Sequence, residues 1–508
     1  MITEKNRKWW ILAAMTSTIS MIFIDITVLP VALPTIQKLL NFSDLALQWI
    51  VNCYTLTLTI LVLAGGRLSD IFGPKKVFCY GVSLFAIASA LCGVSYSDWW
   101  FISSRVLQGI GGALLLPSTA AITLAAFPLH ERGKAMGISI SVGSVFLSIG
   151  PFIGRLLTET LSWRYVFWIN LPIAAIGLIL ALYSVPRSER KQEKFDYFGF
   201  WTMSLGISAL VIALMQARDW GWTSPLTLSL MIIGLLLITF LILFDRKVED
   251  PFIDFKVFSN RNFSGCVFSM FCTQFIVMVT VFWVIYFQIG LGYSPIKSGM
   301  LNLLANIPMM VVAPIGGHLL DRYGPRLPIA IGYFLVIVSF IWFLQVLHLK
   351  SMPMLLSAVI PFGCGITLIF SPCFTAALSE VPDRKRGTTA GLVTMIRQFG
   401  ATIGLAIFGA LFLYFQNSRF ATALKQNPET QNLDPDQFEG LLAGSEPAVQ
   451  ALGHLPTSVQ EYVSSIDLSS YIFAFSKINL LAVMIAAVAL IVSVLLIKKH
   501  LHSIHKKK

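Results

Sequence analysis

Long apolar stretches alternate with short polar ones along almost the whole chain. Runs of roughly 20 apolar residues are long enough to cross a bilayer as helices. They predict helices near 10–34, 47–64, 77–95, 99–126, 134–157, 165–185, 197–216, 226–244, 264–289, 298–320, 327–347, 354–378, 388–415 and 471–497, fourteen in all. The pattern predicts an all-α membrane protein. One segment breaks the rhythm: residues 416–470 are polar, rich in Asn, Gln, Pro and Ser, and predominantly acidic.

Composition agrees, with 56% hydrophobic and only 12% charged residues. The net charge of +12 would suit a nucleic-acid partner, but its distribution excludes that reading. With the N-terminus placed in the cytoplasm, the cytoplasmic loops and tail carry roughly three times as many Lys and Arg residues as the opposite side. Both termini are therefore expected inside a cytoplasmic (inner) membrane. The first apolar run follows Lys5, Arg7 and Lys8 as a secretory signal would. It is too long for one and lacks a clear cleavage site, so it predicts an uncleaved first helix. The seven cysteines all fall within predicted helices and are expected to be packing thiols.

Charges inside the apolar runs are few, and they point to function. Asp25 is the only charged residue between Trp10 and Pro34. An ionised carboxylate there costs at least ~2.5 kcal/mol on insertion scales, so the position suggests a proton or ion pathway. Arg105 lies in the fourth run and Arg397 in the thirteenth. At ~1.5 Å per residue, Asp25 on an outgoing helix and Arg105 on a returning one reach nearly the same depth. Arg105 favours ionised Asp25 and desolvation favours the neutral form. Those opposing effects suit a proton-coupling pair; a static ion pair holding two helices together is the competing reading. Tyr54, Gln108, Asn302, Asn306, Gln274 and Gln288 are further polar candidates for a substrate cavity.

The chain also repeats. Gly66, Asp70, Gly73 and Pro74 recur as Gly317, Asp321, Gly324 and Pro325, each 251 positions later. Arg132, Gly133 and Gly137 recur as Arg386, Gly387 and Gly391, 254 positions later. Helices 1–6 thus match helices 9–14 in the same orientation. This predicts two parallel six-helix bundles with alternating access to a midplane site between them. The domains expected are an N-terminal bundle over 1–186, a charged linker with two extra membrane helices over 187–263, a C-terminal bundle over 264–497 that includes the outer segment, and a basic tail over 498–508. The two extra helices are expected to pack outside the core.

Gly66-Arg-Leu-Ser-Asp70-Ile-Phe-Gly73-Pro-Lys-Lys and Gly317-His-Leu-Leu-Asp321-Arg322-Tyr-Gly324-Pro-Arg resemble the loop signature of the major facilitator superfamily. The second copy fits better, because Ile71 and Pro74 stand where bases are usual in the first. The glycines suit tight turns. The acids suit pairing with a base on a neighbouring helix or capping a helix N-terminus. With fourteen helices, and with the stretches around Asp25, Trp49, Arg105–Gly112 and Trp163–Asn170, the chain is similar to the fourteen-spanner drug:proton antiporter branch, the DHA2-type multidrug exporters. The run Arg397-Gln398-Phe-Gly400 resembles the same branch. The fifth-helix antiporter signature of that branch is represented by Gly150, Pro151 and Gly154, followed by Arg155 in place of a small residue. Pro30 stands where Asn is usual.

This resemblance implies a proton-coupled secondary exporter of amphipathic small molecules, with Asp25 and Arg105 in coupling and both loop copies in conformational switching. Dication exporters of the branch carry an acid in helix 10, and 298–320 has none. A neutral, anionic or singly charged substrate is therefore expected. Dedicated export of one metabolite, siderophore or lipid-like acid, and a transport-inactive sensor or scaffold, stay open. No nucleophile–base constellation, phosphate loop or metal-ligand cluster stands out, so no enzyme activity, cofactor or metal is expected. Expected partners are the small-molecule substrate, protons and the lipid bilayer. The segment 416–470 is expected as a flexible loop, or as a docking surface for a periplasmic adaptor leading to an outer-membrane channel, with short amphipathic helices near 436–443 and 457–463.

Overall fold

A computed structural model describes residues 3–187, 195–244, 251–304, 306–349, 352–438, 441 and 445–499. Most of the charged linker and of the basic tail lies outside these residues, as do Glu439 and the side chain of Asn302.

The N-terminal bundle consists of α1 (Glu4–Leu40), α2 (Asp44–Phe72), α3 (Pro74–Gly93), α4 (Asp98–Ala126), α5 (Arg132–Thr160) and α6 (Tyr165–Ser184, interrupted at Ile169). Two connecting helices follow, α7 (Tyr197–Trp220) and α8 (Pro225–Phe244). The C-terminal bundle comprises α9 (Arg261–Ile289), α10 in two segments (Pro295–Leu304 and Ile307–Tyr323), α11 (Arg326–Val346), α12 (Met352–Ser379), α13 (Arg386–Gln426) and α14 (Thr457–Leu496). Thirteen spans among the described residues are long and apolar enough to cross a membrane. The two segments of α10, on either side of residue 305, stand where the sequence predicts the remaining helix.

Local chemistry sets many of the helix ends. Ser43 and Ser97 accept the backbone N–H of Ala46 and Trp100 and so cap α2 and α4. Gly73 and Gly324 take φ of 92° and 81°, which a side chain would resist. Pro74 then opens α3 where no intrahelical N–H is needed.

Within the first bundle α1 packs on α5 and α6, and α4 packs on α2 and α3. In the second, α12 packs on α11, and α13 packs on α9 and α14. The bundles meet along two seams, α2 against α13 and α5 against α10. The sequence repeat pairs α2 with α10 and α5 with α13, so each seam is the counterpart of the other. The apolar core runs across the first seam, joining Val62, Leu63 and Ala113 to Ala390, Val393 and Met395.

Two expectations are corrected. The extra helices do not both lie outside the core. α8 touches α7 and is mostly exposed, but α7 rests on α2 and α13, and its Met203, Ile207 and Val211 are buried in the shared core. Nor is 416–470 a loop between membrane helices. Residues 416–426 continue α13 and 457–470 begin α14, helices of 41 and 40 residues. Each is about 60 Å long against a hydrocarbon core of about 30 Å, so the pair projects well beyond the bilayer. Phe420 and Leu424 face Val459, Val463 and Ile466, and Phe438 closes over them as a small satellite core. The apolar residues recur at helical spacing but are diluted by polar ones, so they leave the mean hydropathy low. Residues 457–463 belong to α14; of the helix expected near 436–443, Pro435–Phe438 form a 3₁₀ turn, and 439, 440, 442 and 443 lie outside the described residues.

Candidate functional site

Asp25 stands on α1 with a side chain 1% exposed, in a polar node to which α2, α3, α4 and α6 contribute. Arg105 Nη1 donates to Asp25 Oδ2 at 2.6 Å, with the side chains 2% and 1% exposed. Gln108, one turn along α4, donates from Nε2 to Asp25 Oδ1 at 2.7 Å and to Ser89 Oγ on α3 at 2.9 Å. Its Oε1 accepts from Arg105 Nη1 at 2.5 Å. Arg105 Nε donates to the Ile50 carbonyl on α2 at 3.1 Å, and the guanidinium lies 4.4 Å from the centre of the Tyr54 ring. Asn170 on α6 reaches Asp25 Oδ1 and Ser89 Oγ, both at 3.4 Å.

Each ionised group is therefore hydrogen-bonded as well as paired, the condition under which a buried ion pair is tolerated. The node is still incomplete: the hydroxyl of Tyr54 and Oδ1 of Asn170 are buried without a partner. Unsatisfied polar atoms beside a buried carboxylate leave hydrogen-bonding capacity for a proton or a water that moves through.

Tyr54 and Gln108 were expected in the substrate cavity. The structure buries both in this node, 2% and 0% exposed, because Arg105 and Asp25 use their polar and aromatic faces. Asn170 is the reverse case: it carries no charge, and nothing in its local sequence announces that it faces Asp25.

The antiporter-type residues hold α1 in place. A Cβ on Gly150 would collide with Thr27, and one on Gly154 would lie 2.9 Å from a Val28 methyl. The two glycines on α5 thus let it press on α1 beside Asp25. Pro151 sits between them inside an unbroken helix. Arg155 is exposed and bonds Glu159 at 2.7 Å. It leaves the α1–α5 contact free, since Gly154 rather than residue 155 faces α1.

The loop motifs do something different. Asp70 Oδ1 accepts the N–H of Gly387 at 2.8 Å, and Oδ2 accepts the N–H and hydroxyl of Thr388, each at 2.7 Å. Asp321 Oδ1 and Oδ2 accept the N–H of Gly133 and of Lys134, each at 2.9 Å. Each acid caps the first turn of a helix in the opposite bundle, where unpaired N–H groups and the helix dipole favour an anion. Gly66 and Gly387 meet backbone to backbone beside one cap, and Gly133 and Gly317 beside the other. Gly133 and Gly387 were visible as a repeat, but not as the partners of the loop acids. Arg322 lies 5.2 Å from the Tyr323 ring, and Ile71, in the position of a usual base, is buried.

Arg397 on α13 belongs to neither arrangement. Its Nη1 donates to Gln274 Oε1 at 3.1 Å, and its guanidinium lies 5.2 Å from the Phe370 ring. Asn306 immediately precedes the second segment of α10, makes no side-chain capping bond to it, and is partly exposed. Among the described residues no group of His, Cys, Asp and Glu side chains is arranged to hold a metal ion.

Two helical bundles joined along paired seams, with a buried charge node in the first, have the architecture of a membrane transporter. The chain belongs to the Major Facilitator Superfamily, whose family model matches residues 15–405. It is 30% identical to the tetracenomycin C resistance and export protein of Streptomyces glaucescens, over 96% of this chain and 92% of that protein. It is 29% identical to the multidrug resistance protein Stp of Mycobacterium tuberculosis, over 77% of this chain and 73% of that one. Among solved structures, the human organic anion transporter MFSD10 superposes with a TM-score of 0.59 at 13% identity, covering 96% of this chain and all of that one. The last likeness is one of fold.

Proposed function

We propose that this protein is a proton-coupled exporter of amphipathic small molecules in the cytoplasmic membrane, with both termini on the cytoplasmic side. Asp25 carries the reading: a carboxylate buried at 1% exposure, with its charge balanced by Arg105, its hydrogen bonds drawn from α4 and α6, and the network around it reaching α2 and α3. Protonation of Asp25 removes the anion that holds Arg105 Nη1 and shifts the balance among those helices. α1 bears on α5, and α5 is one side of a seam between the bundles. A change at Asp25 therefore has a short mechanical route to the inter-bundle contacts.

The caps made by Asp70 and Asp321 lie at the basic-loop ends of the helices, where they favour the state closed toward the cytoplasm. Export needs that state to form with substrate bound and to break after release. The resistance and export proteins to which the chain is similar support small-molecule efflux as the physiological direction. The helical outer projection of α13 and α14 offers a surface to an adaptor if the cell has a second membrane. Transport itself resides in the two bundles.

The test is uptake into everted vesicles across a compound panel, at imposed and at collapsed pH gradients. Uphill accumulation that needs the gradient and is abolished by Asp25→Asn is expected. Accumulation indifferent to both would overturn proton coupling. Accumulation of one metabolite alone would establish a dedicated exporter.

A further inference from the structure

Among the described residues Asp25, Arg105 and Arg397 lie deep within the spans treated above, while Lys477 on α14 is exposed beside the Phe473 ring, and two of the three deep charges cancel. Asp25 and Arg105 form one neutral, fully enclosed pair. Arg397 is the third, and its surroundings differ in kind. It stands 11 residues along α13 from Arg386, about 16 Å from the helix start and near the middle of a ~30 Å core. The contacts seen for its guanidinium are a neutral amide oxygen, that of Gln274 on α9, and the face of Phe370 on α12. Neither brings a negative charge.

Arg397 is also partly exposed, as are Gln274, Phe370, Ile396 and Gln398. The side chain points between α9 and α12, toward the interior of the C-terminal bundle. α13 is the C-terminal helix that touches both α2 and α4 of the other bundle. Arg397 lies six residues, about 9 Å along the helix, beyond Gly391, which packs on the Val62 carbonyl across the seam. The partly exposed cation is thus carried at mid-depth by the helix that forms the seam, with an aromatic ring and an amide beside it. A guanidinium carries five donors, and one amide oxygen and a ring leave most of them free for a bidentate oxyanion.

We infer that Arg397 is the counter-charge for an acidic group on the substrate, so that the transported amphiphiles are monoanions such as sulfonates or carboxylates with an aromatic body. Phe370 lies beside the apolar part of such a molecule, and Gln274 holds the guanidinium in orientation. The inference deepens the export reading and rests on it. It narrows the substrate class, which the absence of an acid in helix 10 leaves open among neutral, anionic and singly cationic molecules.

Two probes with one ring system separate the charge from the body: 8-anilinonaphthalene-1-sulfonate and the neutral N-phenyl-1-naphthylamine. Binding is measured by fluorescence titration of the full-length protein in nanodiscs, with empty nanodiscs subtracted. Transport is measured in proteoliposomes under an imposed pH gradient. Wild type should prefer the sulfonate. In Arg397→Gln the ratio of sulfonate to neutral affinity should fall by at least about tenfold, the size of one hydrogen-bonded charge contact. Arg397→Lys should retain most of that ratio. Monodispersity and thermal midpoint identify variants that fold. An unchanged ratio in folded Arg397→Gln overturns the inference, whatever the transport result. A ratio that collapses while wild type moves neither probe supports the anion site and overturns the export reading instead.

Discussion

The Asp70 carboxylate accepts the backbone N–H of Gly387 at 2.8 Å across the junction of the two bundles. A side chain in the first half of the chain thereby caps a helix in the second. Asp321 does the same in reverse on Gly133. The two caps differ in strength. Asp70 is 6% exposed and accepts at least three hydrogen bonds, including one from the Thr388 hydroxyl, whereas Asp321 is only half-buried and accepts one from each of Gly133 and Lys134.

That difference sets the first prediction. Asp70→Asn should slow transport of every substrate more than Asp321→Asn does. Charged caps and hydrogen bonds to charge are each worth about 1–3 kcal/mol, so about tenfold for Asp70→Asn is expected. Spin-label distances between the cytoplasmic ends of α2 and α13 should show the closed population reduced. Selective loss of one substrate with the rest untouched would contradict a switching role.

The glycine contacts give a second test. The Gly66 and Gly317 carbons face opposing backbone, so Gly66→Ala or Gly317→Ala must push a seam apart. Either variant should fold, favour the cytoplasm-open state and lose most transport. Gly409→Ala, with nothing within 4 Å of the new carbon, should leave transport unchanged and slightly favour the helix. Equal activity in Gly66→Ala and Gly409→Ala would show that the seam need not close.

Asp25 allows structure and coupling to be told apart. Asp25→Asn keeps one acceptor oxygen, enough for Arg105 or Gln108 but not for both, and should insert normally but fail to drive uphill export. Asp25→Leu strands Arg105 and should cost about 3–5 kcal/mol of stability. Asp25→Leu with Arg105→Met should recover much of that stability without recovering transport. If the double variant exports against a gradient, the pair is only a structural tie.

The outer projection predicts a separable unit. Val463→Asp places a charge in the small core of Phe420, Leu424 and Ile466. Limited proteolysis should then cut between α13 and α14 far faster than in wild type, while vesicle transport stays within about twofold, as surface changes away from the working parts usually do. A parallel loss of transport would mean that the projection participates in the cycle.

The membrane class, the spacing of the helices, the duplicated halves and the isolation of Asp25 were all determined by the sequence. Each depends on properties of a single segment: an apolar run of bilayer length, a repeat, or a charge with no local partner. Even the end of α2 was legible, because Gly73 and Pro74 act on their own backbone. The tertiary structure alone decided which segments meet. Asn170 joins Asp25 only because α6 packs beside α1, and Gln108 is tied into the Asp25 node only because Arg105 and Asp25 claim both ends of its amide. Gly133 and Gly387 repeat in the sequence, yet their service as anion seats for Asp321 and Asp70 requires the other bundle. The ends of α13 and α14 were misread for the same reason. Their outer turns gain stability from a shared apolar cluster that holds Phe420 and Val463, residues 43 positions apart, and mean hydropathy along one helix carries no record of a partner on another.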